Sequence, residues 1–281
     1  MSLRLFDFLA RDQLHIFIHP EYLLLMRINS KQEVVKKQVL QLESTPEIQR
    51  EMNGWQPALS HLQGRIAQAE WKNIGTHIVI SNHFVRYASI PWNAELSNRA
   101  EQLAYLKHSF VKRYGDAAKL WDLRMTTPDF QQTTLASGIS DLFLLQLQAC
   151  CSDAGLKMLT IQPHLMFALN QSRAELSERS VCFVMVEHGR ICVAMIHHGI
   201  LQSVTDYATE LNIARQVEAV IKRESIMLGL DAEDWPIVYW SDLTGQNTRF
   251  THKEIKTIAH PYWQEGTNNL EHLNVLNRQG I

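Results

Sequence analysis

The chain has 281 residues, room for about two domains at roughly 150 residues each, and enough to bury a substantial core. Apolar residues make up 46% and charged residues 20%, with 12 Gly and 8 Pro, which excludes a disordered, collagen-like or low-complexity chain. The formal charge of −2 excludes a bulk basic field for nucleic acid or an anionic membrane, and four Cys are too few for a disulfide scaffold.

Leu14 to Ile18 and Tyr22 to Ile28 are short apolar runs separated by His19, Pro20 and Glu21, the pattern of a buried β-hairpin. A third strand is expected over 33 to 42. Pro57 to Trp71 repeats apolar residues at helical spacing, and strands return at Thr76 to Ile80 and Phe84 to Ile90, the latter ended by Pro91. Asn93 to Tyr114 predicts a helix stopped by Gly115, and Trp121 to Thr126 with Thr133 to Ser137 a strand pair. Ser140 to Ala154 predicts a helix capped by Ser140 and ended by Gly155, followed by a strand over Leu156 to Ile161 and a helix over Pro163 to Gln171. Ser180 to Val186 and Arg190 to Ile196 form a second hairpin around Gly189. Ala208 to Leu228 predicts the strongest helix, stopped by Gly229, and Pro236 to Trp240 a last buried strand. No run approaches the roughly 18 to 20 apolar residues of a spanning helix, and the N-terminus does not read as a secretory signal, so a protein without direct membrane insertion, in a reducing cytoplasm, is expected.

Chemistry-bearing patterns are sparse. Thirteen His include no HExxH spacing, and His197 and His198 would point to opposite faces of a strand, so no metal site is expected. Cys182 and Cys192 lie on the two arms of the second hairpin and are read as a buried pair of small hydrophobes in preference to cross-strand neighbours, and Cys150 and Cys151 diverge on a helix. There is no GxSxG, GxxxxGK[ST] or GxGxxG, and hence no recognisable catalytic residue. Asp206, Asp231 and Asp242 border strands or helices, where a carboxylate could hold magnesium or simply cap a turn. Phe84, Arg86, Tyr87, Pro91 and Trp92 combine aromatics with Arg, the mixture of a protein-binding groove, with core packing and an ion-paired Arg86 as the alternative.

The order of elements and several motifs resemble the actin-like assembly proteins of type IV pili and type II secretion, PilM-like proteins and the cytoplasmic domain of GspL. The resemblance lies in LHIFIHPEYLLLMRI and VCFVMVEHGRICVAMIHHG as the two phosphate-loop hairpins, THIVISNHFVRYASIPW as the strand pair ending in a Pro turn, and LASGISDLFLLQLQACCSDAGLKMLTIQPHLMFALNQ as part of the inserted subdomain. It spans about residues 1 to 245. It implies an α/β, actin-like ATPase or ribonuclease H-like fold of two lobes, residues 1 to 175 with a small α+β subdomain inserted at about 93 to 171, and residues 176 to 281. Active members carry Asp, Gly and small hydroxyl residues in the first turn, where this chain has His19, Pro20, Glu21 and Tyr22. The second turn offers Glu187, His188 and Gly189, with Glu187 as the one metal-directed carboxylate, and Ser241 with Asp242 stand where a Gly-Gly pair should follow the last strand.

The expectation is a scaffold that uses no cofactor, ATP and magnesium being disfavoured, and that does not catalyse. By resemblance it would sit peripheral to the inner membrane and bind a short cytoplasmic peptide of a single-span assembly protein, with Phe84, Arg86, Tyr87, Pro91 and Trp92 in the groove wall. The alternatives are an ATPase or sugar-kinase-like phosphotransferase of the same superfold, and an actin-like homo-oligomer.

Overall fold

A computed structural model describes residues 12–31, 33–43, 54–68, 71–72, 74–96, 98–126, 131–177, 179–209, 212–241 and 255–259. The chain divides into two compact units, one drawing on residues up to Val85 with 120–122 and 138–167, the other on 86–119, 123–137 and the chain from Ala168 onward.

The first unit is built on β1 (Gln13–Ile18), β2 (Tyr22–Ile28), β3 (Val34–Gln41), β4 (Gly75–Ile80) and β8 (Lys157–Pro163), in the order β3-β2-β1-β4-β8. β1, β2 and β3 are antiparallel neighbours, while β4 and β8 run parallel to β1. A hairpin supplies the antiparallel pair cheaply, and the return to a parallel strand requires a crossover, here α1 (Gln56–Ile66). Ala58, Leu59, Leu62 and Ile66 recur at helical spacing and are buried, and α1 ends five residues before Trp71, short of its expected end. α3 (Asp141–Asp153) buries Phe143, Leu147, Cys150 and Cys151. Its start was legible: the Ser140 hydroxyl accepts from the Phe143 amide at 3.4 Å, and Gly155 terminates it at φ 71°.

The second unit repeats this plan. β9 (Val181–Glu187), β10 (Arg190–His197), β11 (Ile200–Ala208), β12 (Ile237–Ser241) and β13 (Ile255–Ala259) lie in the order β11-β10-β9-β12-β13, with α6 (Ile213–Leu228) crossing from β11 to β12. Cys182, Val184 and Val186 of β9 and Ile191, Val193 and Met195 of β10 meet Val217, Val220 and Ile221 of α6 in one apolar cluster. Ile200 to Ala208, unassigned in the sequence reading, is an edge strand, and the helix expected from Ala208 starts at Ile213 behind the Asn212 cap, whose oxygen accepts from the Arg215 amide at 3.0 Å. β13 likewise follows what was expected to be the last strand.

Inserted in the chain between β4 and α3 are β5 (Val85–Ile90), α2 (Arg99–Tyr114), β6 (Trp121–Met125) and β7 (Thr134–Ser140), with a three-stranded sheet in the order β5-β7-β6. α2 begins at its Asn98 cap rather than at Asn93, whose side chain instead accepts from the Glu95 amide in a turn. α4 (His164–Gln171) and α5 (Arg173–Leu176) precede β9.

His15 of β1 and His77 of β4 are register partners, their rings stacked at 4.9 Å, with Thr160 of β8 2.9 Å from His77 Nδ1. Burial, then the neighbouring His77, carries His15 down to about 4, and burial also lowers His77. The folded unit therefore binds fewer protons than the unfolded chain below the ordinary value near 6.5. The stabilisation is complete above that pH and is lost as pH falls toward 4. Urea unfolding at pH 7.5, 6 and 4.5 should show this loss, on the order of 3 kcal/mol at most, and His15→Gln should flatten it.

Candidate functional site

Three parallel strands of the first unit hand over to buried histidines at their C-terminal ends: His19 follows β1, His83 lies three residues after β4, and His164 follows β8. In open α/β sheets that end of the strands is where ligands bind. Here rings occupy it. His19 stacks on Tyr22 at 4.4 Å and 17° and meets His83 edge-on at 5.0 Å, and the His164 ring packs on Phe17 at 4.6 Å. Asn82 fixes the arrangement by accepting from the Leu165 amide at 3.1 Å, which ties the end of β4 to the start of α4.

The turn between β1 and β2 shows the consequence for backbone chemistry. A phosphate cradle needs amides that point outward. The His19 amide donates to the Tyr22 carbonyl at 3.0 Å, Pro20 has no amide, and the Glu21 amide donates to His19 Nδ1 at 3.1 Å. The amides of His19 and Glu21 therefore donate within residues 19 to 22. Tyr22, 4% exposed, fills the space where a phosphate would have to approach.

In the second unit, Glu187 and Arg190 pair across the turn made by His188 and Gly189, the latter at φ 78°. Glu187 is buried, and His188 is partly exposed. Ser241 closes β12, and Asp242 lies outside the described residues.

The aromatic and Arg group separates. Phe84 and Tyr87 are 1% and 0% exposed and pack in the core, so they cannot line a groove. Pro91 and Trp92 are exposed. Arg86 belongs to a polar group that sequence spacing did not reveal. Arg190 Nη2 lies 2.5 Å from Asp206 Oδ2, with the two side chains 12% and 6% exposed, and Arg86 and Tyr114 act on the same carboxylate. Burial, then repulsion from Arg190, lowers the Arg86 value, and Asp206 opposes the fall. Burial, then Asp206, raises Tyr114, whose hydroxyl donates to the Tyr87 carbonyl at 2.6 Å. Asp206 is thus a strand residue neutralising buried guanidinium, rather than the cap or magnesium ligand considered from sequence.

The cysteines are buried as expected, while the paired histidines differ from expectation. Cys182 faces Met195 and Cys192 faces Met185, so the two cysteines are not cross-strand partners. All four cysteines are buried and free, and burial pushes Cys150 up to about 11 and Cys151 up to about 12, which leaves them unreactive. His197 ends β10 and His198 starts the next turn at φ 49°, so their rings approach to 4.2 Å instead of diverging; His197 also stacks on Trp235 at 5.1 Å.

No protein-family model matches the chain, and no curated relative does. Solved structures do. A Bacteroides thetaiotaomicron protein with an actin-like ATPase fold and unknown function aligns at TM-score 0.59 and 11% identity, over 96% of this chain and 98% of its own. The PilM-PilN type IV pilus biogenesis complex aligns at TM-score 0.58 and 12% identity, covering 95% of each chain. The cytoplasmic domain of EpsL, an inner-membrane component of the Vibrio cholerae type II secretion system, aligns at 0.52 and 10% identity, over 88% of this chain and 90% of that one. The repeated five-stranded plan and these alignments agree: the chain has the actin-like ATPase fold. No helix among the described residues is long and apolar enough to cross a membrane.

Proposed function

We propose that this chain is a non-catalytic actin-like scaffold of a bacterial pilus or secretion assembly apparatus, held at the cytoplasmic side of the inner membrane by binding a short cytoplasmic segment of a single-span partner. The observation that carries the non-catalytic part is the first hairpin turn, whose amides are consumed internally and whose space is taken by His19 stacked on Tyr22. A fold that keeps its sheets while filling its phosphate turn retains shape without nucleotide chemistry. The similarity to the PilM-PilN complex and the EpsL cytoplasmic domain supports the assembly role. Pro91 and Trp92 are the residues of the aromatic group left exposed for a partner, and an exposed Trp next to Pro is a rigid, low-entropy contact.

Thermal denaturation with ATP and magnesium tests the first half. No shift is expected at millimolar nucleotide, and saturable stabilisation would favour the phosphotransferase reading. Pull-down with the cytoplasmic segments of single-span membrane proteins encoded beside this chain tests the second. Pro91→Ala with Trp92→Ala should weaken capture about tenfold or more without changing the melting temperature. Unchanged capture would remove that surface from the reading.

A further inference from the structure

A cavity of about 580 Å3 opens within the second unit, between edge strand β11 and the end of α6. On its floor, Ser203 and Thr205 are register partners of Met195 and Val193, so both hydroxyls stand on the face that α6 covers, among apolar neighbours. The two residues are 7% and 8% exposed, and neither hydroxyl oxygen has a hydrogen-bond partner among the described residues. Buried hydroxyls are nearly always bonded, so two orphans side by side in a cavity wall mark a place for a ligand's polar group.

Glu224 of α6 lines the same cavity and is 5% exposed. Among the described residues its one partner is Arg223, 2.7 Å away, and that guanidinium is half exposed and shared with the Tyr207 ring and hydroxyl. A carboxylate and two hydroxyls form an acceptor set suited to an ammonium group, which brings three donors. Arg113, also in the lining, has no carboxylate partner among the described residues and offers a fork for a carboxylate. Pro91, Met227 and Leu228 supply the apolar wall. The Ser89 hydroxyl accepts the outward Val204 amide at 2.8 Å, which removes one donor that an added strand would use beside the cavity. A lining with a carboxylate and a guanidinium suits a compact occupant that carries both charges.

We propose that this cavity binds a free α-amino acid, its ammonium on Glu224, Ser203 and Thr205 and its carboxylate on Arg113. The site does not rest on the scaffold reading, although its wall shares Pro91 with the exposed pair given there to a partner. Calorimetry of the full chain with glycine, leucine, glutamate and lysine, and separately with butylamine, butyrate and inorganic phosphate, is the test. At least one amino acid should bind saturably, at least about tenfold tighter than the amine, the acid or phosphate alone. Glu224→Gln, Arg113→Gln and the Ser203→Ala/Thr205→Ala pair should each weaken it about tenfold, with the circular dichroism spectrum unchanged. Should Glu224→Gln unfold, the hydroxyl pair carries the test, since it deletes only unpartnered atoms. The proposal is overturned if no amino acid binds up to roughly 10 mM, if butyrate or phosphate binds as tightly, or if the hydroxyl pair binds as wild type.

Discussion

Asp206→Asn is expected to destabilise the second unit by about 3 to 5 kcal/mol, far more than its place on an edge strand suggests. Asn keeps the volume and removes the charge that Arg190 approaches to 2.5 Å, with both side chains close to fully buried. Arg190 then loses the carboxylate it touches while Arg86 still repels it, and a buried charge deprived of its partner costs more than the pair contributed. A surface pair is the control: Lys119 and Asp116 are 2.8 Å apart but 56% and 83% exposed, so Asp116→Asn should cost no more than a few tenths of a kcal/mol. Equilibrium urea unfolding followed by tryptophan fluorescence reads both. Replacing Arg86 by Met in the Asp206→Asn background should return part of the loss, because it removes one of the two opposed charges. A loss below about 1 kcal/mol would mean that water already screens the group.

The repeated sheet plan was visible in the sequence because it rests on local signals. Each hairpin is two apolar runs around a short turn, and Gly115, Gly155, Gly189 and Gly229 all adopt the positive φ that made them readable as stops or turns. β11 escaped because it is half polar: as an edge strand, Gln202, Ser203 and Asp206 break its apolar run. Its one local signal was the two-residue turn at His198 and Gly199, both at positive φ, between His197 and Ile200. Missing β11 also misplaced the start of α6 and hid the ion pair of Asp206 with Arg190, a diagonal contact between β10 and β11. The first turn was legible as a turn from His19, Pro20 and Glu21 between two apolar runs. The histidine plug was not, since it brings together residues 19, 83 and 164 through parallel strand pairing that no local spacing records. Phe84 and Tyr87 illustrate the converse error, where an aromatic cluster close in sequence was core material.

Phe143→Ala is expected to cost the first unit about 3 to 5 kcal/mol. The ring is fully buried, stacked on Trp55 at 5.1 Å and 17° and met edge-on by Phe84 at 5.6 Å. Its three neighbourhoods come from the entry to α1, the short turn before β5 and the first turn of α3, so no single element can shift to fill the void. Phe143 also carries the amide that Ser140 caps, which fixes the ring at the start of the helix and limits collapse further. Leu142 next to it is 51% exposed, and Leu142→Ala should stay within about 0.5 kcal/mol. Phe143→Leu should fall between the two, since it returns volume but not the ring geometry. Near-ultraviolet circular dichroism should lose the Trp55 contribution in Phe143→Ala while the far-ultraviolet spectrum holds. α3 leads directly into β8 and thus into His164, so loosening it should also loosen the ring-filled end of the sheet. Amide exchange at His19 and Glu21, whose protons are held within the first turn, should then accelerate in Phe143→Ala and stay slow in Leu142→Ala. Unchanged exchange in Phe143→Ala would mean that the turn is held by the His19–Tyr22 stack alone.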